Sequence, residues 1–488
     1  MPGPTRHTRT PSSGSSSRGR SSSSNGRGGQ RSTPRAAPAV SPLELGLDAA
    51  AEASALTADA PVPTFASLGL PEALISALSR RDVTAPFAIQ ARALPDAIAG
   101  RDILGRGQTG SGKTLAFGLP LLTRLVGLPR QPKTPRGLIL VPTRELAQQV
   151  NDALAPLGQA LDLKVMTVYG GASMGRQIDQ LRRGVDVVVA TPGRLQDLIE
   201  QRECDLSQVL VTVLDEADHM ADLGFLPAVT ALLDLTPRSG QRMLFSATLD
   251  RGVDRLAMGY LDNPAMHAVA ASASPVDTMD HLVFAVSRDA KVEIAAEIAT
   301  RPARTLFFVR TKHGADRLAM QLSTGGTNAM AIHGNLTQHA RKRALDAFSG
   351  GSVRVLVATD VAARGIHVDD VDLVVHYDPP ADHKDYLHRS GRTARAGARG
   401  TVVSLLLSGE VRDHQRLRER AGIEVSATTV VPGHPAVRAV AESGEPVVVT
   451  MPLRPESTRR SGPPRDRYRP AQGRTGNRPA RVNAGHSG

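Results

Sequence analysis

The chain has no tryptophan, one cysteine, five tyrosines and nine phenylalanines in 488 residues. Stacking of bases on aromatic platforms therefore cannot be the main mode of any nucleic-acid contact it makes. The lone Cys204 excludes an internal disulfide framework and suits a reducing compartment. Flanked by Glu203 and Asp205, it reads as an ordinary loop residue. No apolar run approaches the roughly 18 residues needed to span a bilayer, and the first forty residues lack the apolar stretch of a signal peptide. The expectation is a cytoplasmic protein with no membrane partner.

Acidic residues are missing from one end and scarce at the other. Residues 1–40 hold seven Arg and no acid, and residues 452–488 hold nine Arg against Glu456 and Asp466. Each end carries +7, which out of the chain's net +12 leaves −2 for residues 41–451. A phosphate-seeking partner is therefore gripped by tails or by a local groove, not by an all-over basic surface. Residues 1–60, rich in Ser, Gly, Arg and Pro and then Ala, have little to bury and read as a disordered tail. Residues 452–488 read as a second, Arg-rich tail, either solubilising or a non-specific tether for a phosphate-bearing partner.

What is present between the tails centres on Gly107-Gln108-Thr109-Gly110-Ser111-Gly112-Lys113-Thr114, which fits the phosphate-loop pattern G-x-x-x-x-G-K-[ST]. The run Asp102-Ile103-Leu104 reads as a strand before it, and Thr114-Leu115-Ala116-Phe117 as a helix opening after it. Glycines let successive N–H groups wrap an anion, and the helix N-terminus adds partial positive charge. Lys113 would reach the β and γ phosphates of a nucleotide, with the Thr114 hydroxyl facing Mg²⁺.

From Asp102 onward, apolar strands alternate with helical segments: Gly137–Val141, Lys164–Tyr169, Val185–Ala190, Val209–Leu214 and Arg242–Phe245. The alternation restarts at Leu282–Val286, Thr305–Val309, Ala329–Ile332, Val353–Ala358, Leu373–Val375 and Thr401–Leu406. This is an α/β pattern with parallel sheets covered on both faces. The expected division is a first domain over 61–267, a linker over 268–279, a second domain over 280–425 and a C-terminal extension over 426–451 with no assigned role. In such sheets ligands sit at the carboxyl ends of strands, so the residues ending each strand carry the information.

Those residues include Pro142-Thr143-Arg144-Glu145, Gly170-Gly171 and Thr191-Pro192-Gly193-Arg194, suited to phosphate and sugar contacts or to helix capping. The strand at 209–214 ends in Asp215-Glu216-Ala217-Asp218, a hard oxygen site of the kind Mg²⁺ prefers, with Glu216 placed to orient or deprotonate water. Ser246-Ala247-Thr248 follows the next strand. The second unit lacks a phosphate loop and offers Arg310-Thr311-Lys312, His333-Gly334-Asn335, Thr359 to Gly365 and His388 to Arg395. The last run packs four cationic or potentially cationic residues into eight, an arrangement that anions must relieve.

Together with Gln90, these segments occur in the order found in the DEAD-box ATP-dependent RNA helicases, and the chain resembles a bacterial member of that family over about residues 62–410. The resemblance implies two tandem RecA-like domains with parallel sheets that close over ATP and RNA. It implies that Gln90 reads the adenine edge, that Asp215 holds Mg²⁺ through water with Glu216 activating the attacking water, and that Asp360 contacts the ribose. Arg392 and Arg395 would be fingers on the γ-phosphate, and Ser246 and Thr248 would couple Asp218 and His388 across the cleft. RNA would run along Pro142, Arg144, Gly171, Thr191 and Gly193 on one domain and Arg310, Gly334, Thr359 and Arg364 on the other. Three departures from the family pattern stand out: Val83 replaces an adenine-stacking aromatic, Phe87-Ala88 replaces Thr-Pro, and Gly107 stands where Ala is common. The expected activity is an RNA-dependent ATPase that unwinds short duplexes or remodels RNA–protein complexes, among them ribosomal or mRNA-decay complexes. An RNA clamp that uses ATP as a switch and a DNA helicase are the alternatives. The oligomeric state is not legible.

Overall fold

A parallel strand cannot be reached by a tight turn, so each apolar run must be followed by a crossover, usually helical. The computed structural model shows the result. It describes residues 41–56, 63–107, 110–269, 279–363, 371–394, 399–444 and 446–447. Residues 1–40 and 57–60 of the expected N-terminal tail, the expected tail over 452–488, most of the expected linker, and Gln108, Thr109, Arg364 and Arg395 lie outside the described residues.

The first unit holds strands β1 (Ile103–Arg106), β2 (Gly137–Leu140), β3 (Val165–Val168), β4 (Val187–Ala190), β5 (Val211–Asp215), β6 (Gln241–Ser246) and β7 (Ala265–Ala268). Its helices are α1 (Pro42–Leu56), α2 (Glu72–Ser79), α3 (Ala88–Ile98), α4 (Lys113–Leu125), α5 (Arg144–Gln159), α6 (Met174–Arg182), α7 (Pro192–Glu200), α8 (Ala217–Asp222), α9 (Leu226–Asp234) and α10 (Arg251–Tyr260). The second holds β8 (Met279–Val286), β9 (Thr305–Phe308), β10 (Ala329–Ile332), β11 (Val355–Ala358), β12 (Leu373–His376), β13 (Gly400–Leu407) and β14 (Ala427–Thr429). With these come α11 (Lys291–Ala299), α12 (Lys312–Thr324), α13 (Gln338–Ser349), α14 (Asp360–Ala363), α15 (His383–Ser390), α16 (Val411–Arg420) and α17 (Pro435–Ala441).

Among the described residues the strands form two seven-stranded sheets, ordered β3-β4-β2-β5-β6-β1-β7 and β10-β11-β9-β12-β13-β8-β14. Every pairing is parallel, and the second order repeats the first strand for strand. Successive side chains feed opposite faces. Val187, Val189, Val211 and Val213 enter one core, while Val188, Ala190 and Leu214 enter the other. Val355 and Val357 against Leu356 and Ala358 do the same in the second sheet. These are tandem RecA-like α/β units.

Part of the stretch read as a disordered tail is in fact folded. Residues 42–56 form α1, which lies against β7; Leu47 is fully buried, Asp48 pairs with Arg106 at 2.6 Å, and Ser41 bonds Asp254. Its Ala-rich composition hid an anchoring face. Leu47→Ala is expected to cost about 2–5 kcal/mol, checked as a lower melting temperature of the full chain. The expected linker begins too early: Ala268 is the last residue of β7 and pairs with Arg106. The extension over 426–451 also acquires structure, because β14 extends the sheet beside β8 while Val430, Val437 and Val440 join the second core.

A histidine cluster lies within the second unit. His376 and His414 are buried around Tyr386, and His281 Nδ1 is 2.8 Å from the Tyr386 hydroxyl. Burial, with Arg418 nearby, pushes His281 and His414 down to about 4, and burial holds His376 well below its ordinary value. In the unfolded chain each titrates near ~6.5. Their folded values are depressed, so the unfolded state takes up protons first, and stability present above pH ~6.5 is lost as the pH falls toward 4. Thermal melts from pH 7 to 4.5 should show a steady decline; a flat melting temperature would contradict this.

Candidate active site

β1 delivers the chain to Gly107, and the loop re-enters helix at Lys113. Gly110 and Gly112 have φ of +87° and +88°, where a side chain is strained. At Gly112 a Cβ would also stand 2.4 Å from Gln90 Nε2 and 2.5 Å from a Phe87 ring carbon. No side chain caps the start of α4, which leaves its first N–H groups aimed at the loop, as an anion site requires. Lys113 is buried and donates from Nζ to the Gly107 carbonyl at 2.7 Å. Gln90, which had no local rationale in the sequence, is buried at the N-terminus of α3. Its Oε1 accepts the Phe87 N–H at 3.0 Å and its Nε2 donates to the Gly112 carbonyl at 2.9 Å. The same amide thus ties α3 to the phosphate loop.

β5 carries Asp215 to the same point. Burial pushes its carboxyl up to about 7 against the pull of Lys113. Glu216 follows with φ +54° and ψ +51°, a left-handed backbone rare for a side-chain-bearing residue and a form of strain found at functional sites. Its N–H donates to Asp215 Oδ1 at 3.0 Å, and its Oε2 lies 2.8 Å from His219 Nδ1. The loop after β6 meets this segment: Thr248 donates from both its N–H and its hydroxyl to Asp218 Oδ2 at 3.0 Å, and the Asp218 N–H donates to Ser246.

From the second unit, His388 places its ring edge-on to His219 with centroids 4.8 Å apart, and its Nδ1 is 4.0 Å from Asp222 Oδ2. His388 therefore reaches the Asp218 cluster through His219 and Asp222. Asp360, His388, Arg389 and Arg392 share one small crevice. The cationic run is relieved partly from within, because Arg389 forks onto both Asp360 oxygens at 2.5 and 2.9 Å and crosses the Phe308 ring. In this arrangement the Asp360 carboxylate engages Arg389. Arg392 is buried in the same place.

The remaining candidates gather on the other half of each sheet. Pro142 and Arg144, Gly171, and Thr191 and Gly193 follow β2, β3 and β4, which are neighbours; Arg310, Gly334 and Thr359 follow β9, β10 and β11, which are neighbours too. Gly171 has φ +84°, and a Cβ there would stand 2.4 Å from the Arg144 guanidinium. Arg310, Gly334, Gly171 and Gly193 are exposed, while Thr359 and Pro142 are buried.

Three interface residues had no role in the sequence reading. Glu145 Oε1 accepts from Arg341 Nε at 2.8 Å and from Gln338 Nε2 at 3.1 Å, joining α5 to α13 across the two units. Glu145 and Arg341 are both buried. The available signal was a polar pair three residues apart at the start of α13, one helical face, with no acid on its own helix facing it. Lys384 and Asp250 add a further crossing contact at 3.4 Å.

A phosphate loop, an acidic strand end and an arginine-bearing second RecA-like unit meet on one cleft, the layout of the two-domain helicase class. The profile of the DEAD/DEAH box helicases matches residues 87–256, and that of the helicase conserved C-terminal domain matches residues 290–397. The chain belongs to the DEAD-box helicase family. It is 38% identical over 407 residues to DEAD-box ATP-dependent RNA helicase 3B, chloroplastic, of Zea mays, covering 81% of this chain and 54% of that one. It is 41% identical over 350 residues to ATP-dependent RNA helicase RhlB of Xanthomonas oryzae, covering 70% and 61% respectively. The chain thus spans between half and two thirds of the length of these relatives. Among solved structures, S. cerevisiae Dbp5 bound to RNA and ADP BeF3 is similar, with 28% identity, a TM-score of 0.67, and coverage of 78% of this chain and all of that one. No helix among the described residues is long and apolar enough to cross a membrane.

Proposed function

We propose that the chain is an RNA-dependent ATPase that unwinds short RNA duplexes or remodels RNA–protein complexes in the cytoplasm, by closing two RecA-like domains on ATP and single-stranded RNA. The observation that carries this is the cleft itself: α5 and α13 are joined by the buried Glu145–Arg341 pair on the half of the sheets bearing the RNA candidates, while His388 meets His219 on the nucleotide half. Closure is thereby linked to both ligands. Dbp5, a relative of similar fold, is bound to RNA and a nucleotide analogue, which supports the same assignment here.

Gly107, Gly110, Ser111, Gly112, Lys113 and Thr114 hold the phosphates, with Gln108 and Thr109 completing the loop by sequence. Asp215 and Thr114 fit Mg²⁺. A buried carboxyl raised toward neutrality at a strand tip regains its charge most readily beside a cation. When bound, Mg²⁺ would neutralise phosphate charge. Glu216 takes the proton of the attacking water, and Arg392 is assigned to the γ-phosphate, with Arg395 sharing that role by sequence alone. Contacts at the loops after β2, β3, β4, β9, β10 and β11 are to RNA backbone and 2′-OH groups, so specificity for sequence is low.

Steady-state ATP turnover with single-stranded RNA, with DNA and without nucleic acid tests the assignment. RNA should stimulate turnover at least ~10-fold and DNA should not; equal stimulation by DNA would favour the DNA-helicase reading, and RNA binding without turnover the clamp. The Arg-rich ends act as a salt-dependent tether. Removing residues 452–488 should weaken RNA binding and reduce the salt slope by about 0.7 for each phosphate that the tail no longer neutralises, read from binding isotherms at several salt concentrations.

A further inference from the structure

Beyond meeting His388, His219 has no part in the catalytic roles above, yet it is buried on α8 between two groups that matter. Its Nδ1 lies 2.8 Å from Glu216 Oε2, and its ring receives the edge of His388 from the second unit at 4.8 Å between centroids and 80° between planes. The backbone of Glu216 is fixed in the left-handed region, so the base of the side chain has one exit direction. A carboxylate held at one oxygen by a buried ring nitrogen presents its other oxygen in a fixed direction as well. Contact therefore runs from α15 of one domain, through an imidazole, to the carboxylate of the other.

We infer that His219 is a positioning residue that holds Glu216 in its water-activating orientation, and that seating His388 against the His219 ring on domain closure completes the alignment. The inference rests on the ATPase reading. In the step it serves, the water oxygen bonds to the γ-phosphorus, the bond to the bridging oxygen breaks with its electron pair leaving on ADP, and the water proton passes to the Glu216 carboxylate. A bound water displaced by even about 1 Å from a productive geometry costs on the order of 100-fold, so a misaligned base is felt in turnover and not in affinity.

The test uses the full chain and compares wild type, His219→Ala, His219→Gln, Glu216→Gln and the double variant His219→Ala/Glu216→Gln. RNA-stimulated kcat and KM for ATP are measured beside RNA affinity and melting temperature. His219→Ala should lower kcat by about 10- to 100-fold, with KM and RNA affinity within about twofold, because the loss is confined to the transition state. His219→Gln, which keeps a donor, should recover a substantial part of it. In the Glu216→Gln background, removing His219 should cost nothing further, the signature of action through that carboxylate. His388→Leu should lower kcat in the wild type and by clearly less in His219→Ala, where only the route through Asp222 is left to lose. An unaltered kcat in His219→Ala, or an equal loss with and without Glu216, overturns the inference. Absence of RNA-stimulated turnover in the wild type overturns the ATPase reading and this inference together, so the two failures are told apart.

Discussion

Glu216→Gln is expected to lower RNA-stimulated ATP turnover by about 10²- to 10⁴-fold while leaving ATP and RNA binding intact. The substitution keeps the shape of the side chain and removes only the ability to accept a proton. The left-handed backbone at 216 and the hydrogen bond from its N–H to Asp215 Oδ1 are unaffected, since neither involves the Glu216 side chain. A further consequence concerns Asp215. The Glu216 charge is one of the influences that raise the Asp215 carboxyl to about 7, so its removal should leave Asp215 more fully ionised. Affinity for the nucleotide with its cation should then be retained or increased. Turnover and equilibrium binding of a fluorescent ATP analogue, measured on the same preparation, separate the two effects; a fall in binding that matches the fall in turnover would remove Glu216 from the proton-accepting role.

Arg341→Ala carries the second large effect, and it acts on closure. The Glu145–Arg341 pair crosses the domains with both partners buried. Deleting one member of such a pair leaves an uncompensated buried charge, at a cost of about 3–5 kcal/mol. Here the molecule has an escape: the domains can separate and return Glu145 to water. The cost therefore falls on the closed state, whose population relative to the open state should drop at least ~100-fold. RNA-stimulated turnover and unwinding should fall together, with the fold of each domain retained. An energy-transfer pair placed on the two domains should report less closure with ATP and RNA present. The double variant Glu145→Gln/Arg341→Ala should recover part of the loss, because no orphan charge is left. Wild-type closure in Arg341→Ala would show that the pair is incidental to the closed state.

The resolution of the sequence reading followed burial. Central strands such as Val187–Ala190 and Val211–Asp215 are covered on both faces and read as continuous apolar runs. β7 and β14, each at one edge of its sheet, carry no apolar run in the sequence, whereas β3 and β10 at the opposite edges do; β14 is exposed along its three residues. An edge strand can do without an apolar run, and Ala427-Thr428-Thr429 has none. α1 was missed because Ala, Ser and Glu read as a tail until Leu47 and Asp48 find β7 and Arg106. The phosphate loop was legible because its glycines have a local cause in their positive φ and close approaches.

What the sequence determined by itself was therefore local or periodic: two series of strands with crossovers, a phosphate loop between strand and helix, and an acidic strand end. The family resemblance then gave those segments their order and expected roles. Only the tertiary structure decided which groups meet. It turned Gln90 inward onto Gly112, forked Arg389 onto Asp360, joined Glu145 to Arg341, and set His219 between Glu216 and His388. Local propensity and apolar periodicity are properties of neighbouring residues and survive in a linear text. The partner of a buried charge or amide comes from a distant segment, and it is chosen when desolvation makes an unpaired polar group too costly to leave.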